Sequence, residues 1–549
     1  MTSYYKITQI FLLGLFLFAS HSFIYAQKRC LFTEHETHNK DRNKIHDKQE
    51  QYRLYETWLQ KQMAEIEKEK LQSGRTEGDE ELLVLPTVYH ILHVGQPIGT
   101  VPNIPYTQIA SQHRIVNEDL QRKNKDSVNI MPFFRARAAS CGVELRLAEF
   151  DPLGNRLAEL GVVRHNISAI LAATGGDVTK LTSTYIDKEL IPKLQFPTSK
   201  YLNQWIVPSL QLGDSDGYGY ATFPNDTGLL GLTDDQGNKS ASVCIHSAVG
   251  SNFSGEGVFE LQPASSGGRT TTHELGHFFG LFHIWGDEPL CEEDDKCEDT
   301  PKQAKENQDD NRCTFFDRPS CEPNVPENFQ NYMDYSDDRC TNMFTRGQAQ
   351  RVRTSVLKGR NRKELLTSDA IKPHFNLTNL KGNRDGNDII LTWGGSSRNT
   401  SDAIIEKNTG AGFVEVAKVG GQATSFTLIN MQEAATYRVI ASNKAGKSAA
   451  SNEISVDVVM SLGNDLLNRK ITVYPNPAND VLNIKMELTT KVDKFVISDV
   501  QGRNVAEIIA PENYGTFAYS LPLQKLGAGL YLLQVHTAEG IGLKRIVKQ

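Results

Sequence analysis

Apolar and polar positions divide the chain into blocks of different texture. The first apolar run, Ile10–Ala19 (IFLLGLFLFA), follows Lys6 and precedes the small residue Ala26. A run this short, basic before and small-residue after, predicts a signal peptide over 1–26. Residues 27–75 are polar and charged, yet Tyr55, Leu59, Met63 and Ile66 recur at helical spacing. That pattern predicts a helix lying on the next domain, within a removable propeptide. Arg53 and Arg75 are basic positions where a protease could cut it. Leu82–Val94 (LLVLPTVYHILHV) reads as a core strand. His90 and His93 fall on opposite faces of that strand, which assigns them structural roles. A helix over Gln108–Leu120 and a strand over Val143–Ala148 continue a compact α/β unit, 76–360. Residues 373–458, around Trp393 and Tyr437, and residues 470–549 show short alternating strands with frequent Gly, Asn and Pro. The fold class is therefore multidomain: an α/β (α+β) unit followed by all-β sandwich modules.

Composition narrows the setting. A chain of 549 residues exceeds one hydrophobic core. Its net charge of −7 gives no reason to expect nucleic acid. After residue 26 no segment is apolar enough to predict a transmembrane span. None of the eight cysteines lies beyond 340. Cys30 stands alone, Cys141 and Cys244 follow, and Cys291, Cys297, Cys313, Cys321 and Cys340 crowd together. Export to an oxidising compartment makes the crowded set disulfide candidates, with one left to pair elsewhere or stay free.

The chemistry concentrates in Thr271–Trp285, TTHELGHFFGLFHIW. His273 and His277 are four apart, so a helix places both imidazoles on one face, able to grip one zinc ion. Glu274 is not needed as a ligand and can take a proton from water at the metal. Gly280 lets the chain leave the helix, so that His283 returns as third ligand. Three protein ligands leave one position open, as catalytic zinc requires. The acidic stretch Asp287–Thr300 (DEPLCEEDDKCEDT) offers oxygen ligands at a density that suits Ca²⁺.

HELGHFFGLFH and NYMDYSDD, with the flanking GGRTTTHELGHFFGLFHIW, CEDTPKQ and NYMDYSDDRCTNMFTRGQ, resemble the pappalysin family of metzincin zinc metallopeptidases over residues 80–360. The resemblance implies a zinc endopeptidase acting on protein and peptide substrates. It makes Met333 the hydrophobic floor of the metal site, and Tyr335 the donor that steadies the transition-state oxyanion. It implies a structural calcium, with Asp295 and Thr300 as ligands. It implies disulfides Cys291–Cys321 and Cys313–Cys340, with Cys297 able to replace Cys291. Asp337 and Asp338, after the Met-turn, stand where a carboxylate holds an arginine guanidinium, which implies cleavage before basic residues; a calcium or capping role is the other reading of the pair. Cys30, in QKRC, would ligate zinc in a latent zymogen. A disulfide to Cys141 or Cys244 is its other reading.

Residues 373–458 resemble a fibronectin type III or immunoglobulin-like domain. Residues 470–549 resemble a type IX secretion sorting domain, through YPNPANDVLNI, VDKFVISDVQGR, GLYLLQV and LKRIVKQ. That resemblance implies the secretion machinery as partner and a secreted or cell-surface location. A carbohydrate- or partner-binding module is the alternative for this block. For the whole chain the alternative is a surface adhesin with a relict zinc site, against which the intact Glu274 argues.

Overall fold

The computed structural model describes residues 28–30, 45–74 and 80–549, apart from 213–214, 225–241, 254, 256, 288–290, 309–312, 314–319, 374–376, 386–387, 396, 432, 458–464, 489–490 and 513–514. The expected signal peptide and Arg75 lie outside the described residues.

In chain order the elements that build the site are β1 (Lys28–Cys30), α1 (Ile45–Ser73), β2 (Leu83–His93), α2 (Tyr106–Leu120), β3 (Val143–Leu147), β4 (Val162–Asn166), β5 (Leu202–Val207), β6 (Ser215–Ala221), β7 (Ser242–Ile245), α3 (Arg269–Phe278) and α4 (Arg346–Lys358). The strands form one sheet in the order β1-β6-β7-β5-β2-β3, with β4 also beside β2. β6 runs antiparallel to β7. The remaining pairings along this order, and β4 with β2, are parallel.

β2 is the centre. Ten of its residues are buried and only His93 is partly open. A parallel strand covered on both faces needs a run this rich in Val, Leu and Ile, here interrupted only by Thr87 and His90 before His93. Leu83 and Leu85 pack with Val116 and Leu120 of α2, Leu275 and Phe278 of α3, and Val352 and Val356 of α4. The opposite core holds Leu92, Trp205, Val207, Tyr220 and Ile245. His90 is buried, stacked on Trp205 at 4.2 Å between ring centroids, and its ring nitrogens meet His165 and Asn203. Burial and the neighbouring His165 lower its pKa to about 3, so it stays neutral.

Residues 378–456 form two antiparallel sheets closed over Leu391, Trp393, Ile405, Tyr437 and Val439. Residues 471–548 form two more, over Leu482, Ile484, Phe495, Leu533, Val535 and Ile546. No helix among the described residues is long and apolar enough to cross a membrane.

Candidate metal centre

All ten residues of α3 are buried. His273 and His277 project from one face, one turn apart. The helix ends at Phe279, and Gly280, at φ +91°, turns the chain back so that His283 meets them. The three Nε2 atoms converge, 3.1 to 3.2 Å from one another. Tetrahedral zinc at ~2.05 Å from each nitrogen would space them roughly 3.3 Å apart, so this donor set fits zinc. Among the described residues it is the one cluster of three His, Cys, Asp or Glu groups able to hold a metal.

The far nitrogens fix the tautomers. His273 Nδ1 donates to Tyr332 O at 2.7 Å, His277 Nδ1 to Leu281 O at 2.8 Å, and His283 Nδ1 to the Asp287 carboxylate. Each imidazole therefore turns its lone pair inward. Burial, with His283 alongside, holds His277 far below its ordinary pKa and hence neutral. Trp285 stacks flat on His283, 4.3 Å between centroids and 6° between planes.

Met333 is fully buried beneath the helix. A Cβ on Gly276 would lie 2.3 Å from its sulfur, so the glycine leaves the room that the methionine fills. Tyr335 is half-buried, its ring 5.0 Å from His283 and 5.7 Å from His273. Glu274, buried on α3, faces Gly219 of β6, where a Cβ would lie 3.0 Å from the carboxylate Oε1.

A buried network supports these groups from behind. Asp119 of α2 accepts the Tyr332 hydroxyl at 2.7 Å and the Thr272 hydroxyl at 2.8 Å. One carboxylate thus ties together the residue before His273 and the residue whose carbonyl holds His273. Burial raises the Asp119 pKa to about 6, against the pull of Arg269. Arg269 also reaches Asp126 and the Asp338 carbonyl, both at 2.7 Å.

Asp338 is fully buried, and its Oδ2 accepts the N–H of Gly267 at 3.0 Å and of Arg269 at 2.9 Å. It caps the start of α3, where the helix leaves N–H groups without partners. Asp337 Oδ1 accepts the N–H of Arg339 at 2.9 Å. Asp295 is buried, takes the N–H of Cys297 at 3.1 Å, and is pushed up by burial to about 8. Thr300 follows in the same loop, 5% exposed. Cys291 is bonded to Cys321 and Cys313 to Cys340, with Cα–Cα distances of 6.0 and 5.2 Å. Cys297, Cys141 and Cys244 are free and buried. The backbone of Cys30 lies in β1, in register with Gly219.

Sequence reasoning missed Asp287 as the partner of His283, although its i+4 spacing was a usable signal. It also missed Trp285, Asp119 and Arg269. No local pattern marks the last two, which are 150 residues apart.

Residues 185–357 match the family model described as Pregnancy-associated plasma protein-A. Residues 472–549 match the secretion system C-terminal sorting domain. An extracellular metalloprotease of Arthroderma otae is 44% identical over 85 residues, 16% of this chain and 30% of that one. One of Neurospora crassa is 31% identical over 234 residues, 41% of this chain and 74% of that protein. A Tannerella forsythia promirolysin mutant superposes with 26% identity and a TM-score of 0.45, over 62% of this chain and 97% of its own. With its His-Glu-His helix, returning third histidine and Met-turn, and with nearly three quarters of the Neurospora protein covered, the chain belongs to the Pregnancy-associated plasma protein-A (pappalysin) family.

Proposed function

We propose that this chain is a secreted zinc endopeptidase, made latent and cutting before arginine. The observation that carries the reading is the convergence of three Nε2 atoms within 3.2 Å beside Glu274 on the same helix. His273, His277 and His283 would hold the metal. Bound there, zinc supplies a Lewis acid and a water acidified toward neutrality.

The chain's own groups do the rest. Glu274 takes the proton of the attacking water and returns it to the leaving amine. The Tyr335 hydroxyl donates to the oxyanion as the carbonyl becomes tetrahedral. Asp287, the Tyr332 carbonyl and the Leu281 carbonyl keep the imidazoles aimed. The edge of β6 offers backbone groups to an extended peptide, the geometry of strand addition. β1 takes that edge in this structure, with Cys30 opposite the glycine that faces Glu274. This supports latency through Cys30 as a zinc ligand.

Asp337 is the stronger of the two pocket candidates, because Asp338 caps α3. The buried, protonation-prone Asp295 supports a calcium site with Thr300: a carboxylate pushed up to about 8 is one that a cation would relieve. The sorting domain supports export through a dedicated secretion system, whose machinery is its partner. The deciding experiment is cleavage profiling on a peptide library with zinc-loaded, chelated and Glu274→Ala protein. The reading requires cuts before arginine that vanish in both controls. Profiles unchanged by chelation would overturn it.

A further inference from the structure

The N-terminal helix α1 carries no motif, yet one stretch of it is locked onto the catalytic unit. Tyr55 and Leu59 are 1% and 0% exposed, although most side chains over residues 60–73 face solvent. They pack on Phe223 with Tyr52, Trp58, Met63, Phe282 and Tyr335 around them. Tyr52 and Tyr55 meet the Phe223 ring edge-on at 5.4 and 5.3 Å, and Tyr52 meets Phe282 at 5.5 Å.

Glu56 stands in the middle of this cluster. Arg351 of α4 donates Nη1 to its Oε1 and Nη2 to its Oε2, both at 2.8 Å. Arg351 is itself fully buried, and its Nη2 also reaches the Gly280 carbonyl at 3.2 Å. A Cβ on Gly280 would lie 2.2 Å from the Tyr55 hydroxyl oxygen. The helix therefore sits on the turn that brings His283 back to the zinc helix. A two-pronged guanidinium–carboxylate pair is specific in geometry, and removing one partner strands the other charge. Aromatic edges supply area, and the pair supplies register.

We infer that the face made by Phe223, Gly280, Phe282 and Arg351 is a recognition surface for a helix that presents aromatic residues around one glutamate. Residues 52–59 of this chain are its occupant, and they hold the N-terminal segment in place without Cys30. The inference rests on the zymogen reading for its biological sense, but not for its test.

The test is hydrogen exchange on the full-length chain. Amides of residues 52–66 are compared in wild type, Cys30→Ala, Glu56→Gln and Glu56→Asp. Cys30→Ala leaves their protection within about twofold. Glu56→Gln lowers it by about tenfold or more, and Glu56→Asp, which keeps the charge, falls between. Protection of β2, residues 83–92, stays at its wild-type level throughout. Protection unchanged in Glu56→Gln overturns the inference, as does its collapse in Cys30→Ala. Loss of β2 protection in Glu56→Gln overturns it too, since the residue then supports the whole fold. Turnover of a short peptide, read in parallel, separates the two ideas. Chains inactive under every condition refute the peptidase reading while the exchange result stands.

Discussion

Two helices carry the logic of this molecule, and they do so in opposite ways. α3 is ten residues long and wholly buried, and every turn of it has chemistry. α1 is 29 residues long, exposed along most of residues 60–73, and it matters through one patch. In α3 the decisive distances are between residues four to ten positions apart. In α1 the decisive contact joins residues separated by 295 positions. Local spacing encodes the first helix and the apolar stripe of the second, whereas only tertiary structure supplies the partner of Glu56.

The largest effect expected is on α3. Glu274→Ala removes the base and leaves the three imidazoles, so peptide cleavage falls at least about a hundredfold while one zinc per chain remains. Turnover and metal content measured on one preparation decide this. Activity retained within tenfold would show that the helix carries its metal for another purpose.

Within α1 the comparison sharpens to two leucines. Leu59 is fully buried and Leu71 is 75% exposed. Leu59→Ala loosens the docked helix by about 2–5 kcal/mol, whereas Leu71→Ala changes stability by less than about 0.5 kcal/mol. Exchange protection and limited proteolysis of residues 45–73 report both. Equal effects would mean that α1 has no docked face.

The same contrast explains what the sequence reveals. The spacing of His273, His277 and His283 is local, so the metal centre is legible without coordinates. So is β2, because a run this rich in Val, Leu and Ile has few other places to go. The Glu56–Arg351 pair is not legible, since nothing local separates Glu56 from the other glutamates of a polar helix. The role of Asp338 is illegible for a related reason. An aspartate after the Met-turn reads equally as a pocket lining or a cap, and only the coordinates put the Asp338 carboxylate on the backbone N–H groups at the start of α3. Arg53 is exposed as its composition implies, but it lies inside α1, whose helical backbone must unwind before an extended-substrate protease could cut there.

A smaller effect is expected at Gly276. An added methyl group would meet the Met333 sulfur at 2.3 Å, so Gly276→Ala forces the Met333 side chain, the Met-turn or the helix to move. Overpacking of this kind costs about 1–3 kcal/mol. Thermal unfolding of the zinc-loaded and chelated forms measures it. A variant as stable as wild type in both forms would mean that the methionine floor is soft.

The smallest effect expected returns to α1 and concerns acid. Burial pushes the Glu56 carboxyl up, but the hydrogen bonds and charge of Arg351, with Gln60 and Lys296 nearby, outweigh it and hold the group below its ordinary value. A carboxyl depressed in the docked state binds its proton less readily there than when the helix is free. Its contribution is thus complete above the undocked pKa, near 4.5, and is lost as pH falls through the docked value. Other ion pairs lie on the same face: Glu80 with Lys70 and Arg353, and Glu69 with Lys358. They are more exposed than Arg351 and contribute little each. Acidification should therefore weaken protection of residues 52–66 modestly, after correction for intrinsic exchange rates. Glu56→Gln should flatten most of that dependence, because it removes the carboxyl that the buried Arg351 guanidinium holds. If the mutant keeps the full wild-type slope, the acid response belongs to the outer pairs, and Arg351 binds the helix by shape and hydrogen bonding more than by charge.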